Sequence, residues 1–251
     1  MKIPTPDKKF FERKYGALIR LLKRYHRYRV VGIESVPTDG PAIVVSTHSA
    51  VTYDIFLAQY AIFEHCNRIG RMLGDDIWFQ QEPLKTWMYK LGTMPASPGV
   101  GLEILRQGEL LGICPGGMRE ALRPSTQRFQ VDWKNRYGFV KLWMQSGVPI
   151  ILLTCPRADL AWTVYDNLLT RLLYNYLHFP LFIARGIGPT PLPRPEPFTS
   201  YFSQPIPAPK GLFSSNQGHV QAVYADICSM MAHHIHDSLK AEELVDISSD
   251  F

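Results

Sequence analysis

No stretch of this 251-residue chain approaches 18 uncharged apolar residues, so none reads as a helix that spans a bilayer. The start, Met-Lys-Ile-Pro-Thr-Pro, is followed by no apolar region and does not read as a secretory leader. The four cysteines, Cys66, Cys114, Cys155 and Cys228, stand far apart with no Cys-x-x-Cys pair. That spacing indicates neither a disulfide framework nor a zinc knuckle, and a reducing, cytoplasmic setting is the expectation. Gly-x-Ser-x-Gly is absent, and Ser46 and Ser49 lack flanking glycines, so there is no nucleophile elbow. Neither a P-loop nor a Gly-x-Gly-x-x-Gly fingerprint occurs. Charged residues make up only 20% of the chain against 46% hydrophobic ones, which suits a globular protein with a sizeable core.

The net charge of +5 is modest but unevenly spread. Lys8 to Arg29 holds nine Lys or Arg and one acid, Glu12, interleaved with Phe10, Phe11, Tyr15, Leu18, Ile19, Leu21, Leu22 and Tyr25. This is the composition of a basic amphipathic helix, and residues 1–28 are expected to lie on an anionic membrane surface. An ordinary packing helix with a wet basic face is the alternative. A basic helix can also contact nucleic acid, but no nucleic-acid motif accompanies it, and its Leu and aromatic content favours lipid. Residues 29–251 then form the second domain.

Within that domain, apolar runs at 42–46, 110–114 and 148–154 read as buried strands, and Arg29–Ile33 as a short first strand. Helices are expected from the His48 turn to about Glu64, over 83–91, 99–107 and 137–146, and from Gln217 to about Leu239. The expected fold is therefore α/β, with a mostly parallel central sheet flanked by helices. Residues 68–82 are ambiguous, 128–136 read as charged and exposed, and the prolines between Pro189 and Pro209 mark an extended connector. The tail from Glu242 is acidic and expected to fray. Residues 160–182 are rich in large apolar groups; a core helix, a lid over an acyl tunnel and a second lipid-immersed surface all fit.

Two stretches carry chemistry. His48-Ser49-Ala50-Val51-Thr52-Tyr53-Asp54 follows the 42–46 strand and leads into a helix. An Asp can fix one imidazole nitrogen and leave the other as a base for a hydroxyl proton. Asp54 lies six positions after His48, about 600° on an ideal helix, so their pairing needs a turn with Asp54 near the helix start. His48 as a turn histidine and Asp54 as a cap is the bland alternative. The second stretch, Pro115-Gly116-Gly117-Met118-Arg119-Glu120, follows the 110–114 strand. Successive glycines let backbone approach a ligand and form an anion nest, and Arg119 adds a fork suited to phosphate. A tight turn with a surface arginine is the alternative. Two rivals are weaker. Cys114 as nucleophile is opposed by Pro115, whose nitrogen cannot donate to an oxyanion. Cys228, His233, His234 and His236 do not close a compact metal set, because adjacent helical histidines face different ways.

Together the two stretches resemble the glycerolipid/phospholipid acyltransferase family, in which His and Asp are separated by four residues and followed by Phe-Pro-Glu-Gly-Thr-Arg-Ser. Here five residues intervene and Gly116 stands at the Glu position. Both departures are similar to the diacylglycerol-acyltransferase-like, transmembrane-protein-68-like branch, with its Pro-Gly-Gly-x-Arg-Glu-Ala. The likeness runs from about Ile33 to Pro207. It implies direct O-acyl transfer from acyl-CoA or acyl carrier protein to a glycerolipid hydroxyl, with no cofactor and no metal. His48 would be the general base and Asp54 its orienter. Gly116, Gly117, Arg119 and Glu120 would form the substrate or phosphate contacts. The implied protein is peripheral on the cytoplasmic face of the membrane. Gly116 in place of Glu points toward a neutral glyceride acceptor, with lysophosphatidic acid still open. A thioesterase and a non-catalytic lipid-binding protein are the remaining alternatives.

Overall fold

The computed structural model describes residues 3–49, 52–165 and 184–249. Seven strands form one sheet: β1 (Arg29–Val31), β2 (Ala42–Ser46), β3 (Arg71–Gly74), β4 (Thr93–Pro95), β5 (Leu110–Ile113), β6 (Ile150–Thr154) and, numbered last in the chain, β9 (Thr199–Phe202). A separate antiparallel pair joins β7 (Thr163–Val164) to β8 (Ala184–Arg185). The order across the large sheet is β1-β9-β6-β2-β5-β3-β4. Strands β6, β2, β5, β3 and β4 run parallel, while β9 pairs antiparallel with β6 and parallel with β1, so the sheet is mixed.

Strands β2 and β6 are buried along their whole length, which is why Ala-Ile-Val-Val-Ser and Ile-Ile-Leu-Leu-Thr show no polar alternation. Alternate residues serve the two faces. Ile43, Val45, Leu111 and Leu152 face a core shared with α4 (Pro98–Arg106), α6 (Gly138–Ser146) and α7 (Gln217–Ser249). Val44, Leu110, Ile151 and Leu153 pack instead on Ala58 and Ile62 of α2 (Tyr53–Cys66). The remaining helices, α3 (Leu84–Lys90) and α5 (Gly117–Ala121), are short. Local signals set the boundaries. The Ser97 hydroxyl accepts the Val100 N–H at 3.2 Å ahead of Pro98 at the start of α4, and Gly147 ends α6 at φ +67°.

The N-terminal helix α1 is a continuous run made of Lys8–Phe10, a π-turn at Phe11–Tyr15 and Gly16–Tyr25. It packs on the outer side of α2, burying Phe11 and Ile19 against Leu57, Tyr60 and Phe63. Helix α2 is thus covered on both sides, and its sequence is correspondingly apolar all round. At the end of α1, the His26 ring stacks on Phe198 at 3.9 Å, bonds the Glu196 carbonyl through Nδ1 at 2.7 Å, and meets the Tyr53 hydroxyl through Nε2. Tyr53 is the first residue of α2.

Several expectations are corrected. The proline-flanked stretch at 199–202 is a central strand rather than a connector, because its prolines lie outside the paired residues and Ser200 and Phe202 are buried. Helix α7 does not end near Leu239. It continues to Ser249 through the good helix formers Lys-Ala-Glu-Glu-Leu and buries Glu242. Residues 128–136 are not simply exposed, since Trp133 inserts fully into the core. Most of the apolar stretch at 160–182 lies outside the described residues.

Candidate active site

Parallel neighbours β5, β2 and β6 end on the same edge of the sheet, so the segments that leave them converge there. Thr47 and His48 leave β2, Cys114 to Gly117 leave β5, and Cys155 and Pro156 leave β6. A narrow cleft opens between them, lined by His48, Ser49, Asp54, Arg123, Thr154 and Asp159, among others. His48 and Asp54 therefore share one cleft. The carboxylate of Asp54, however, accepts the hydroxyl proton of Ser49, and among the described residues no hydrogen bond joins it to His48. Thr52 instead lies beside the imidazole, with its Oγ1 2.9 Å from His48 Nδ1. No described residue hydrogen-bonds to His48 Nε2.

Burial, then the charges of Arg123 and Arg136, lower the His48 pKa to about 3, so the ring is neutral at ordinary pH. Burial raises Asp54 to about 7, aided by the charge of Asp159 and opposed by the Ser49 hydroxyl. Burial also raises the thiols of Cys114 and Cys155 well above their ordinary value, leaving both protonated and poor nucleophiles.

Behind His48 lies a buried polar network. The Glu120 carboxylate, fully buried, accepts the His48 N–H at 2.9 Å and the Asp132 N–H at 3.4 Å. Arg123 sits 3.5 Å from Glu120 and donates to Asp159, which also accepts the Phe129 N–H at 3.2 Å. Burial raises the Glu120 pKa to about 7, against the pull of these donors. Glu120 thus holds the backbone of the His48 turn, with both oxygens engaged by protein. Gly116 is buried, and a Cβ there would stand 2.2 Å from Glu120 Oε2. The carboxylate of residue 120 fills the space a side chain at 116 would need. Gly117, at φ +56°, faces Arg136, whose guanidinium donates to the Pro115 and Gly116 carbonyls at 3.2 and 3.0 Å. Arg119 is exposed on α5 and makes no hydrogen bond or ion pair among the described residues.

Sequence reasoning passed over Thr52, Ser49, Arg123 and Asp159. A Thr just before a helix reads as a cap, and an arginine 36 residues from an aspartate carries no pattern. His234 Nε2 meets the Tyr201 carbonyl at 3.0 Å and pins α7 to β9. No group of three or more potential metal ligands occurs among the described residues. No described helix is long and apolar enough to cross a membrane.

A small, wholly apolar cavity adjoins this edge on the α2 side of the sheet. Its Ser46, Ile55 and Leu153 are the chain neighbours of Thr47, Asp54 and Thr154 in the cleft. Met72 and Gly112 line it farther from His48 along β3 and β5.

Comparison with known proteins bears on the same residues. The family model described as Acyltransferase matches residues 27–155, which hold both the His48 turn and the Gly116 turn. The human protein named "DGAT1/2-independent enzyme synthesizing storage lipids" is 31% identical over 184 residues, 73% of this chain and 55% of that protein. Its chicken counterpart of the same name is 31% identical over 186 residues, covering 73% and 53%. The chain thus spans about half the length of the curated relatives it matches. The crystal structure of the 1-acyl-sn-glycerophosphate (LPA) acyltransferase PlsC from Thermotoga maritima overlays with a TM-score of 0.48 at 14% identity, covering 90% of this chain and 91% of that one. With the family model spanning more than half of the chain and both of its signature turns, this protein belongs to the glycerolipid/phospholipid acyltransferase family.

Proposed function

We propose that this acyltransferase moves a fatty acyl group from a thioester donor, acyl-CoA or acyl carrier protein, to the hydroxyl of a neutral glycerolipid. The observation that carries the reading is His48: a neutral imidazole at the cleft whose Nε2 is bonded by no described residue, next to an apolar cavity. The acceptor hydroxyl gives its proton to Nε2 as its oxygen attacks the thioester carbonyl. The resulting oxyanion forms near Arg123, the buried positive charge of the cleft wall. Collapse of the tetrahedral intermediate breaks the carbon–sulfur bond, and the departing thiolate takes the proton back from Nε2. Asp54 holds the turn through Ser49.

A neutral acceptor is favoured by charge. Arg123, the buried cation of the cleft lining, is already paired with Asp159 and Glu120, so a phosphomonoester dianion is poorly matched. The relatives' printed name, synthesis of storage lipids, agrees with this reading. The acyl chain runs toward the apolar wall beside α2. Gly117 and Arg119, on the open side of α5, meet the donor's phosphates. Helix α1 lies on an anionic membrane surface through Leu18, Leu21 and Tyr25, which are exposed among Arg13, Lys14, Arg20 and Arg24.

The test is thiol release from a long-chain acyl-CoA in mixed micelles with monoacylglycerol, diacylglycerol, lysophosphatidic acid or no acceptor. Release that needs a neutral acceptor and disappears in His48→Ala is expected. Release that needs only lysophosphatidic acid overturns the acceptor class. Release without any acceptor identifies a thioesterase, and activity retained in His48→Ala removes the base.

A further inference from the structure

Thr52 stands in a conformation that its side chain opposes. Its φ of +65° and ψ of 7° lie in the left-handed region, where a β-branched residue is strained. It also occupies the N-cap position of α2, where a threonine hydroxyl ordinarily accepts an N–H of the first turn, yet it makes no such bond. Its hydroxyl goes elsewhere. Oγ1 lies 2.9 Å from His48 Nδ1 and, on its other side, donates to the Ser49 carbonyl at 3.5 Å.

The Ser49 carbonyl offers a second place for the hydroxyl proton. A hydroxyl has one proton. With that proton aimed at the Ser49 carbonyl, Oγ1 can only accept from the ring, so Nδ1 carries the imidazole hydrogen. The lone pair then sits on Nε2. Asp54, occupied with Ser49, makes no bond to the ring that would do the same.

We infer that Thr52 is the positioning residue that fixes the tautomer of His48, the task the His–Asp pairing was expected to perform. This rests on His48 acting as the base. The chain Ser49 carbonyl, Thr52 hydroxyl, His48 Nδ1–H is neutral throughout. It orients the ring without placing a full negative charge against it. The left-handed backbone at Thr52 is what brings the hydroxyl under the ring, and the cap is forgone for that contact.

Three variants and one spectrum test it. Thr52→Val keeps the β-branch and removes the hydroxyl; kcat for thiol release from palmitoyl-CoA with monoacylglycerol is expected to fall about ten-fold or more at unchanged KM. Thr52→Ser restores the hydroxyl and is expected within about three-fold of wild type. Thr52→Gly relieves the strained backbone, so it is expected to melt no lower than wild type while losing kcat as Thr52→Val does. The glycine variant decides the matter if Thr52→Val fails to fold. Nitrogen NMR of labelled histidine, with the His48 signal identified by its loss in His48→Ala, is expected to show Nδ1–H in wild type and Thr52→Ser but not in Thr52→Gly.

An Nε2–H ring in wild type overturns the inference. So does full kcat in Thr52→Val or Thr52→Gly when His48→Ala is inactive, and the base then stands without Thr52. Activity surviving in His48→Ala overturns the base itself, while the spectrum still reports whether Thr52 sets the ring.

Discussion

At position 116 one methyl group separates two ways of filling the same space. The buried Glu120 carboxylate occupies the volume that any side chain at Gly116 would enter, and it uses that place to hold the His48 backbone. Gly116→Ala is expected to cost about 1–3 kcal/mol of stability, because the β-carbon must displace a carboxylate already bonded on both oxygens. In a Glu120→Ala background most of that cost should vanish, and a urea double-mutant cycle measures the difference. A second residue-scale consequence concerns pH. Asp54, whose ordinary value is 3.8, is raised to about 7, so between those values the folded chain holds a proton that the unfolded chain has lost. Its contribution favours folding at low pH and is lost as pH rises through about 7. His48 acts in the opposite sense: lowered from 6.5 to about 3, it costs stability as pH falls below its ordinary value. Asp54→Asn should therefore make the slope of unfolding free energy with pH more positive, by up to about 1.4 kcal/mol per pH unit between roughly pH 5 and 6.5. Urea unfolding across that range, compared with wild type, checks the sign. Both key turns were legible as residues. Their wiring was not, since the partners of Ser49, Thr52 and Glu120 depend on how two turns distant in sequence fold against each other.

Among the elements, the strands β2, β5 and β6 were readable because burial on both faces leaves unbroken apolar runs. Strand β9 was not, because four residues bracketed by prolines carry too little pattern to separate a strand from a connector. Helix α1 was legible as basic and amphipathic, but its burial of Phe11 and Ile19 against α2 follows from tertiary packing alone. That packing leaves Leu18 and Leu21 as the outward apolar pair, 54% and 65% exposed. Leu18→Asp with Leu21→Asp should reduce co-sedimentation with phosphatidylserine vesicles at least ten-fold, because each leucine loses about 1.5 kcal/mol or more of burial in lipid and gains a repelled charge. The melting temperature should hardly change, since neither side chain is part of the core.

For the molecule as a whole, the sheet is sewn together from the two halves of the chain. Strand β1 pairs only with β9, and His26 beside it bonds the carbonyl of Glu196, 170 residues away. The segment that matches the family model, residues 27–155, contains β1 and β6 but not the strand that lies between them. On a ribosome adding about 5–20 residues per second, β1 is made roughly ten to thirty seconds before its partner emerges. Through that interval β1 has no strand to pair with, and over its last part, once β6 has been made, the edge of β6 stays open until β9 arrives. Strand β9 is what joins β1 to the rest of the sheet, so the His26 anchor that ties α1 to Tyr53 and to the Glu196 carbonyl can form only once the 196–202 segment has been made.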